Sequence, residues 1–392
     1  MTKLVRLLAL AAVTGLVVVA CSNSTTSTPA GGGSGTAPTS IGPGEGKLNL
    51  VAWAGYTEDA WVKPFEQQTG CKVSAKYGTD SSDMVNLMKQ GGGTLYDGVS
   101  ASGDASNRLI AGGDVQPVDI NLFSDYADVM PSLNSPPHNT INGVHYGVPY
   151  MWGPNFLLYN TDVVKPAPDS WASVFEANSP YAGKVTAYNS PIYIADAALY
   201  LKTTQPDLGI TDPYELTSAQ LDAAVNVLKT QYGMIGKYWG VYTDEIKGFD
   251  SGDMVIGTAW PVNQQYIEID NKVPVESVIP KEGVTGWADT WMMSSHAQHP
   301  NCMLMWMQYT LQPDVQTQVA EFYGATPSNT KSCPQLNKDL GKAAEIYHCG
   351  DDAYLSQIAL WKTPQADCGN GSTDCMDYNA WSEKWLEITS GG

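Results

Sequence analysis

The chain has 392 residues, which is long enough for two lobes of ordinary size and a substantial core. Acidic residues outnumber basic residues by 40 to 21, for a formal net charge of −19. This balance argues against binding to nucleic acid, or to anionic lipid through a basic patch, and it favours cationic ligands weakly. The acidic surface of an exported soluble protein accounts for the charge equally well.

The amino terminus has the pattern of a secretory signal, because Lys3 and Arg6 precede an unbroken apolar run. The run ends in Val-Val-Ala-Cys, which resembles the bacterial lipobox, in which the cysteine is lipidated and becomes the new amino terminus. We therefore expect residues 1–20 to be a signal peptide and Cys21 to carry a lipid. Residues 21–46 are rich in Ser, Thr, Gly and Pro and predict a flexible linker. The expected location is outside the cell, at the outer face of the cell membrane or in the periplasm.

The cysteines after Cys21 are even in number, which indicates disulfides in an exported chain. Two of these cysteines are close enough in sequence to close a small loop, and two others flank a polar stretch. If these form two disulfides, the remaining two cysteines pair with each other. The predicted pairs are Cys368–Cys375, Cys333–Cys349 and Cys71–Cys302.

The first half of the chain alternates between strand and helix patterns. LNLVAWAG (48–55) alternates like a strand, residues 57–70 are helical, and the same order continues to residue 113. Such a series predicts a parallel sheet covered by helices, in which ligands bind beyond the carboxyl ends of the strands. The residues that fall at those ends are Trp53, Tyr56, Ser102 and Asp104.

Residues 143–160 are dense in aromatic residues and glycine, which indicates a crossing between lobes. A second αβ series follows. In the later strand PKEGVTGWADTWMM (280–293), the period of two puts Trp287, Asp289 and Trp291 on one face. A carboxylate between two indoles is costly unless a cation meets it.

Read in this order, the chain resembles the polyamine-binding proteins of bacterial ABC importers over roughly residues 47 to 330. The most specific likeness runs from residue 280 to residue 329, which carries the family's Pro-Lys-Glu-Gly, Trp-x-Asp, Pro-Asp-Val and Gln-Val-Ala-Glu pattern. The resemblance implies an α/β protein with the two-lobed, type II periplasmic-binding-protein fold, whose hinged lobes enclose a ligand cleft. The expected division is 47–149 with 288–330 for lobe 1 and 150–287 with 331–392 for lobe 2.

The resemblance also implies a set of ligand contacts. Asp104 stands where the family has an aromatic residue, although it is equally suited to cap the helix that follows. Ser190 and Tyr193 stand where spermidine binders have two acids, so one amine clamp is missing and Asp104 is expected to replace it. The expected ligand contacts are Trp53, Tyr56, Ser102, Asp104, Tyr193, Trp260, Trp287 and Asp289.

We therefore expect a monomeric, non-enzymatic binding protein that captures a putrescine- or spermidine-like polyamine, or a related organic cation, for an ABC transporter permease. Neither a cofactor nor a metal is expected. A quaternary amine is the alternative ligand. The rival class is an exported hydrolase or metalloenzyme, since His296, His299 and Cys302 have a helical spacing that can ligate zinc. The sequence contains no Gly-x-Ser-x-Gly, phosphate-loop or His-Glu-x-x-His motif to support it.

Overall fold

The structure is a computed structural model that describes residues 37–369 and 371–391. The predicted signal peptide, Cys21 and most of the predicted linker lie outside the described residues. The described residues belong to one compact unit. Among them, no helix combines the length and the apolar character that crossing a bilayer requires.

Two β-sheets organise the described part of the chain. The strands are β1 (Lys47–Ala52), β2 (Lys72–Tyr77), β3 (Gly98–Ala101), β4 (Thr140–Ile141), β5 (Val144–His145), β6 (Val148–Pro154), β7 (Phe156–Asn160), β8 (Val185–Tyr188), β9 (Ile235–Trp239), β10 (Ile256–Ala259), β11 (Val275–Val278), β12 (Val284–Met293), β13 (Thr326–Pro327) and β14 (Ile358–Leu360). Sheet 1 has the order β13-β6-β12-β3-β1-β2, with β14 paired to β12, and sheet 2 has the order β11-β7-β10-β8-β9. Strands β4 and β5 form a separate antiparallel pair.

The predicted parallel pairing is confirmed in both sheets. Strand β1 pairs in parallel with β2 and β3, and β8 pairs in parallel with β9 and β10. The long strand β12 runs antiparallel to β3 and β6, with a register shift between Ala288 and Thr290. Every residue of β12 is buried, because helices and neighbouring segments cover both faces of sheet 1 at this strand.

Helices fill the connections between strands. They are α1 (Asp59–Thr69), α2 (Ser81–Lys89), α3 (Gly103–Ala111), α4 (Pro131–Asn134), α5 (Ala172–Phe175), α6 (Ile194–Thr204), α7 (Ser218–Tyr232), α8 (Tyr242–Ser251), α9 (Pro261–Gln264), α10 (Pro300–Thr310), α11 (Pro313–Tyr323), α12 (Cys333–Leu340), α13 (Asp352–Leu355) and α14 (Tyr378–Thr389). Helix α1 stops at Gly70, whose φ of 75° is the left-handed conformation that glycine adopts readily.

The chain crosses from sheet 1 to sheet 2 at Asn155, between β6 and β7. Asn155 is fully buried, and both its backbone N–H and its side-chain amide donate to Thr285 of β12, at 2.8 and 2.7 Å. The crossing predicted in residues 143–160 is thereby confirmed. Residues 150–154, 284–287 and 358–360 belong to strands of sheet 1, whereas the expected division places them in lobe 2.

Aromatic side chains dominate the core of sheet 1. Trp291 is fully buried and packs against Tyr150 and Trp306, each with ring centroids 5.6 Å away. Trp61 and Trp171 are also buried. Trp291 therefore belongs to the core and is not exposed beside Asp289.

The disulfides predicted from the sequence are confirmed. The described residues contain the pairs Cys71–Cys302, Cys333–Cys349 and Cys368–Cys375. The first pair joins the segment between α1 and β2 to helix α10, across 231 residues of sequence.

The last residues of the predicted linker pack against α10. Both Glu45 carboxylate oxygens accept backbone N–H groups at the start of this helix, from Asn301 at 3.0 Å and Cys302 at 2.9 Å. Burial alone would raise the pKa of Glu45, but these hydrogen bonds outweigh it and lower the pKa. The linker is thus anchored at its carboxyl end beside the Cys71–Cys302 disulfide.

Candidate ligand-binding site

A cavity of about 280 Å³ lies between elements of the two sheets. Most of its wall comes from the carboxyl ends of parallel strands, namely β1, β2 and β3 of sheet 1 and β8, β9 and β10 of sheet 2. Strand β12, the end of α11 and the residue after β14 complete the wall. This is the position where open α/β sheets bind ligands. The lining residues include Trp53, Asp80, Ser81, Ser102, Tyr188, Asn189, Trp239, Tyr242, Trp260, Trp287, Asp289, Tyr323 and Trp361.

Asp289 of β12 is the buried acid of this cavity, with only 3% of the residue exposed. Its Oδ2 accepts a hydrogen bond from the Tyr56 hydroxyl at 2.5 Å, and its Oδ1 accepts one from the Ser102 hydroxyl. Burial raises the pKa of Asp289 to about 7, against the opposing effect of the two hydrogen bonds. The nearby charge of Asp104 raises it further. The Trp53 side chain also contributes a hydrogen bond that lowers the pKa. Among the described residues, no basic side chain forms an ion pair with this carboxylate.

A second buried acid, Asp104, lies behind the wall at Ser81. Ser81 lines the cavity, and its hydroxyl donates to Oδ1 of Asp104 at 2.9 Å. Asp104 is fully buried, and its Oδ2 has no hydrogen-bond partner among the described residues. Burial raises its pKa to about 6, although the Ser81 hydrogen bond and the charge of Arg108 oppose the rise.

Aromatic rings form most of the remaining wall. The Trp260 and Trp239 rings meet edge to face at 4.6 Å, Trp260 and Trp287 meet at 6.2 Å, and Trp287 and Tyr323 meet at 6.5 Å. The Trp260 indole N–H donates to Asn155 Oδ1 at 2.8 Å, which fixes that ring at the crossing between the sheets. The result is a cage of aromatic faces and edges around a buried acid.

The carboxyl-terminal segment contributes Trp361, directly after β14. Its backbone N–H donates to Gly286 of β12 at 2.7 Å, and its ring lies 5.7 Å from that of Tyr188. The backbone of Trp361 passes so close to Gly103 that a Cβ there would lie 1.7 Å from the Trp361 carbonyl oxygen. Glycine at position 103 therefore allows the segment to close this side of the cavity.

Comparison with known proteins identifies the family. Residues 60–345 match the family described as bacterial extracellular solute-binding protein. The chain belongs to this family. Family members are transporter components and not enzymes, so the prediction that the chain is not an enzyme is confirmed.

The solute-binding protein is similar to two curated periplasmic proteins of Escherichia coli (strain K12). It is 24% identical over 332 residues to the spermidine/putrescine-binding periplasmic protein, across 84% of this chain and 90% of that protein. It is 24% identical over 320 residues to the putrescine-binding periplasmic protein PotF, across 78% of this chain and 84% of PotF.

The two-lobed fold predicted for the binding protein is also confirmed. Its structure superposes on the spermidine/putrescine ABC transporter substrate-binding protein PotD from Streptococcus pneumoniae strain Canada MDR_19A with a TM-score of 0.68. The two share 18% identity, and the match covers 88% of this chain and 99% of that chain.

The cavity of the binding protein brings together several of the residues expected to contact a ligand. These are Trp53, Ser102, Trp260, Trp287 and Asp289. They come from the ends of β1, β3 and β10 and from β12, so the fold collects residues that are more than 230 positions apart in sequence.

Tyr56, Asp104 and Tyr193 do not line the cavity, contrary to expectation. All three are fully buried. Tyr56 supports Asp289, Asp104 supports Ser81, and the Tyr193 hydroxyl accepts a hydrogen bond from Gln231 at 2.9 Å. Each lies one layer behind the wall, because another side chain occupies the space between it and the cavity.

Several lining residues of the binding protein were not predicted. Ser81 is the first residue of α2 and lies just after β2, much as Ser102 lies between β3 and α3. The rule that ligands bind beyond the carboxyl ends of parallel strands could therefore have found it. Trp239 ends β9, a short strand that the sequence pattern did not reveal. Trp361 follows β14, which lies beyond the region of family resemblance.

The residues of the rival metal site serve other purposes. Cys302 is in a disulfide, and His299 Nδ1 lies 2.9 Å from Oδ2 of Asp97. Within the described residues, no three His, Cys, Asp or Glu side chains are arranged to share a metal ion.

Proposed function

We propose that this solute-binding protein captures a small organic cation of the polyamine class and delivers it to an ABC importer. The observation that carries the proposal is Asp289, a buried acid in an aromatic cavity whose described hydrogen-bond partners are neutral side chains. A ligand ammonium supplies the missing counter-charge. The names of the similar Escherichia coli proteins, which refer to spermidine and putrescine, support the same ligand class.

The charge of the cavity favours a cation and opposes an anion. Its acidic lining residues are Asp80 and Asp289, and no lysine, arginine or histidine lies among the described lining residues. Contact between an ammonium and an aromatic face stabilises the complex by about 0.5–2 kcal/mol. Methylene groups of the ligand can lie flat against the same indoles, where they are removed from water.

The proposal includes the arrangement of the protein around its site. We propose that the two lobes, one built on sheet 1 and the other on sheet 2, close on the ligand about the crossing at Asn155. We also propose that the protein is a monomer, held at the outer face of the membrane by a lipid on Cys21. The lipobox-like sequence before Cys21 and the anchored end of the linker at Glu45 support this placement.

Titration calorimetry with a panel of solutes tests the ligand class. Putrescine and spermidine should bind, and putrescine should bind at least as well, since Ser190 and Tyr193 stand in place of the second clamp. Choline tests the quaternary alternative, because it has no N–H to donate to Ser102 or Asp289. Glutamate serves as the anionic control. Binding of glutamate without binding of any amine would contradict the proposal.

A further inference from the structure

The wall of the cavity contains two serines that are each backed by a buried carboxylate. The Ser102 hydroxyl donates to Asp289, and the Ser81 hydroxyl donates to Asp104 at 2.9 Å. A hydroxyl has one hydrogen and two lone pairs. Because each serine has already donated its hydrogen to an acid, each can offer the cavity only lone pairs. Both serines are therefore acceptors toward a ligand.

We infer that Ser81 and Asp104 form a second ammonium subsite, separate from that of Ser102 and Asp289, so that the ligand carries two cationic groups. This inference rests on the proposed function and assigns the place where the second ammonium of its ligand binds. Ser81 touches the ligand in this arrangement. Asp104 is a positioning residue, which orients the Ser81 hydroxyl and supplies negative charge one hydrogen bond from the cavity.

The groups around Asp104 leave its charge only partly compensated. Arg108, one turn later on α3, lowers the pKa of Asp104 through its charge, but its guanidinium contacts other side chains. The Arg108 guanidinium lies 4.2 Å from the centre of the Tyr378 ring and donates to the Ser82 hydroxyl at 3.3 Å. The acids Asp80 and Asp289 act in the opposite direction. A second ligand ammonium at Ser81 adds the positive charge that this cluster lacks.

An acid in the first turn of a helix also has a purely structural explanation, because negative charge is favourable near a helix amino terminus. Asp104 occupies the first turn of α3. That role accounts for a carboxylate on the helix, but it does not account for the hydrogen bond to a serine that lines the cavity. The two roles make different predictions for ligands with one and with two ammonium groups.

Calorimetry with putrescine and with butylamine separates the two roles, because these amines have the same four-carbon chain and differ by one ammonium. The variants are Asp104→Asn and Ser81→Ala, with Ser81→Thr as the conservative replacement that keeps the hydroxyl. Ser295→Ala is the matched control, since the Ser295 hydroxyl donates to the Gly113 carbonyl outside the cavity. Thermal melts establish that each variant is folded.

The expected result is a selective loss of putrescine affinity. Asp104→Asn and Ser81→Ala should each weaken putrescine by about tenfold or more while butylamine changes by less than about twofold. Ser81→Thr and Ser295→Ala should retain the wild-type preference for the diamine. Equal losses for both amines, or an unchanged preference in Ser81→Ala, would overturn the second subsite and leave the proposed function standing. Failure of the wild type to bind either amine would overturn both.

Discussion

The Tyr56 hydroxyl donates a hydrogen bond of 2.5 Å to Asp289, although the two residues are 233 positions apart in sequence. Tyr56 follows β1, and Asp289 lies within β12, with β3 between these strands in sheet 1. The contact therefore depends on the complete sheet and cannot form within either segment alone. It holds the buried carboxylate in place on the side away from the cavity.

Asp289→Asn should abolish most of the affinity for an amine, because it keeps the shape of the side chain and removes its charge. Removing one partner of a desolvated charge pair costs about 2–5 kcal/mol, which is roughly thirty-fold to several-thousand-fold in affinity. Without ligand, the variant should be as stable as the wild type or more so, because the ionised acid is itself unfavourable in this site.

Calorimetry and thermal melts on Asp289→Asn check both parts, with Asp162→Asn as a control at an exposed acid outside the cavity. Wild-type affinity in Asp289→Asn would refute the ammonium contact. Weak binding together with early melting would identify Asp289 as a structural acid.

The contribution of Asp289 and Asp104 to the stability of the ligand-free protein should fall as pH rises from about 4 to about 7. Burial raises the pKa of Asp289 to about 7 and that of Asp104 to about 6, whereas an unfolded aspartate has a pKa of about 3.9. At these two groups the folded chain holds more protons than the unfolded chain, so they lower the free energy of unfolding as pH rises. The buried His138, whose pKa burial lowers to about 4, acts in the opposite direction. Denaturant titrations of the wild type and of Asp289→Asn across the window isolate the contribution of Asp289, and an equal slope in both proteins would contradict a protonated Asp289.

Amine binding should release protons below about pH 7, because the ligand favours the ionised carboxylates. For one proton, affinity falls about tenfold per pH unit below the pKa. The groups that interact with Asp289 are the Tyr56 and Ser102 hydroxyls, the Trp53 side chain, the acid Asp104 and the phenols of Tyr150 and Tyr323. Burial raises the pKa of both of these phenols. Calorimetry in buffers of different ionisation enthalpy counts the protons. No release at pH 6 would show that the carboxyls are already ionised.

Tyr56→Phe should move the pH dependence of binding upward. The phenol hydrogen bond stabilises the ionised form of Asp289, and a hydrogen bond to a charged group contributes about 1.5–3 kcal/mol, which corresponds to at least about one pKa unit. We expect the midpoint of the affinity profile to rise by about one pH unit. Tyr309→Phe is the matched control, since its hydroxyl donates to the Trp61 carbonyl outside the cavity. An unchanged midpoint in Tyr56→Phe would mean that this hydrogen bond does not tune the acid.

The disulfides should differ in their contributions to stability according to the length of chain that they close. Cys71–Cys302 spans 231 residues and Cys368–Cys375 spans 7. The chain-entropy estimate gives about 5 kcal/mol for the long loop and about 2 kcal/mol for the short one. Double replacement of each pair by alanine, followed by denaturant titration, measures the two losses. Equal losses would show that native packing, rather than loop length, determines the effect.

Closure on a ligand should make the protein more compact and should change its tryptophan fluorescence. Trp53, Trp260 and Trp287 line the cavity, so a bound cation meets indoles from both sheets. Small-angle scattering should give a smaller radius of gyration with saturating putrescine. Asp289→Asn at the same concentration is the control. No change in either signal for the wild type would count against a hinged cleft.

Much of the fold follows from short-range patterns. Gly70 ends α1, and the alternation in β1 and β2 is visible in the sequence because the flanking residues mark clear boundaries. Strands β9 and β14 were not predicted, since IGKYW and IAL are short and carry no distinct alternation. Their formation depends on neighbouring strands that are already in place.

The candidate site was harder to predict at the level of individual side chains. The rule that ligands bind beyond the carboxyl ends of parallel strands locates the region. It does not distinguish Ser81, which lines the cavity, from Asp104, which lies behind Ser81. That difference arises from the packing of α2 against α3, which no single segment encodes. Tyr56 and Tyr193 were misplaced for the same reason: aromatic residues near a strand end can face the ligand or support the residue that does.

The wall that Trp361 contributes also determines when the site can first exist. A chain exported as predicted emerges amino terminus first, so Trp53, Ser102 and Asp289 leave the secretion channel well before β14. The close contact between Gly103 and the backbone of Trp361 also forms only after β14 has emerged. The receptor is therefore incomplete until translocation is almost finished. A chain clipped before Trp361 would keep Trp53, Ser102 and Asp289 but would lack this wall, so it should not compete with intact copies for solute.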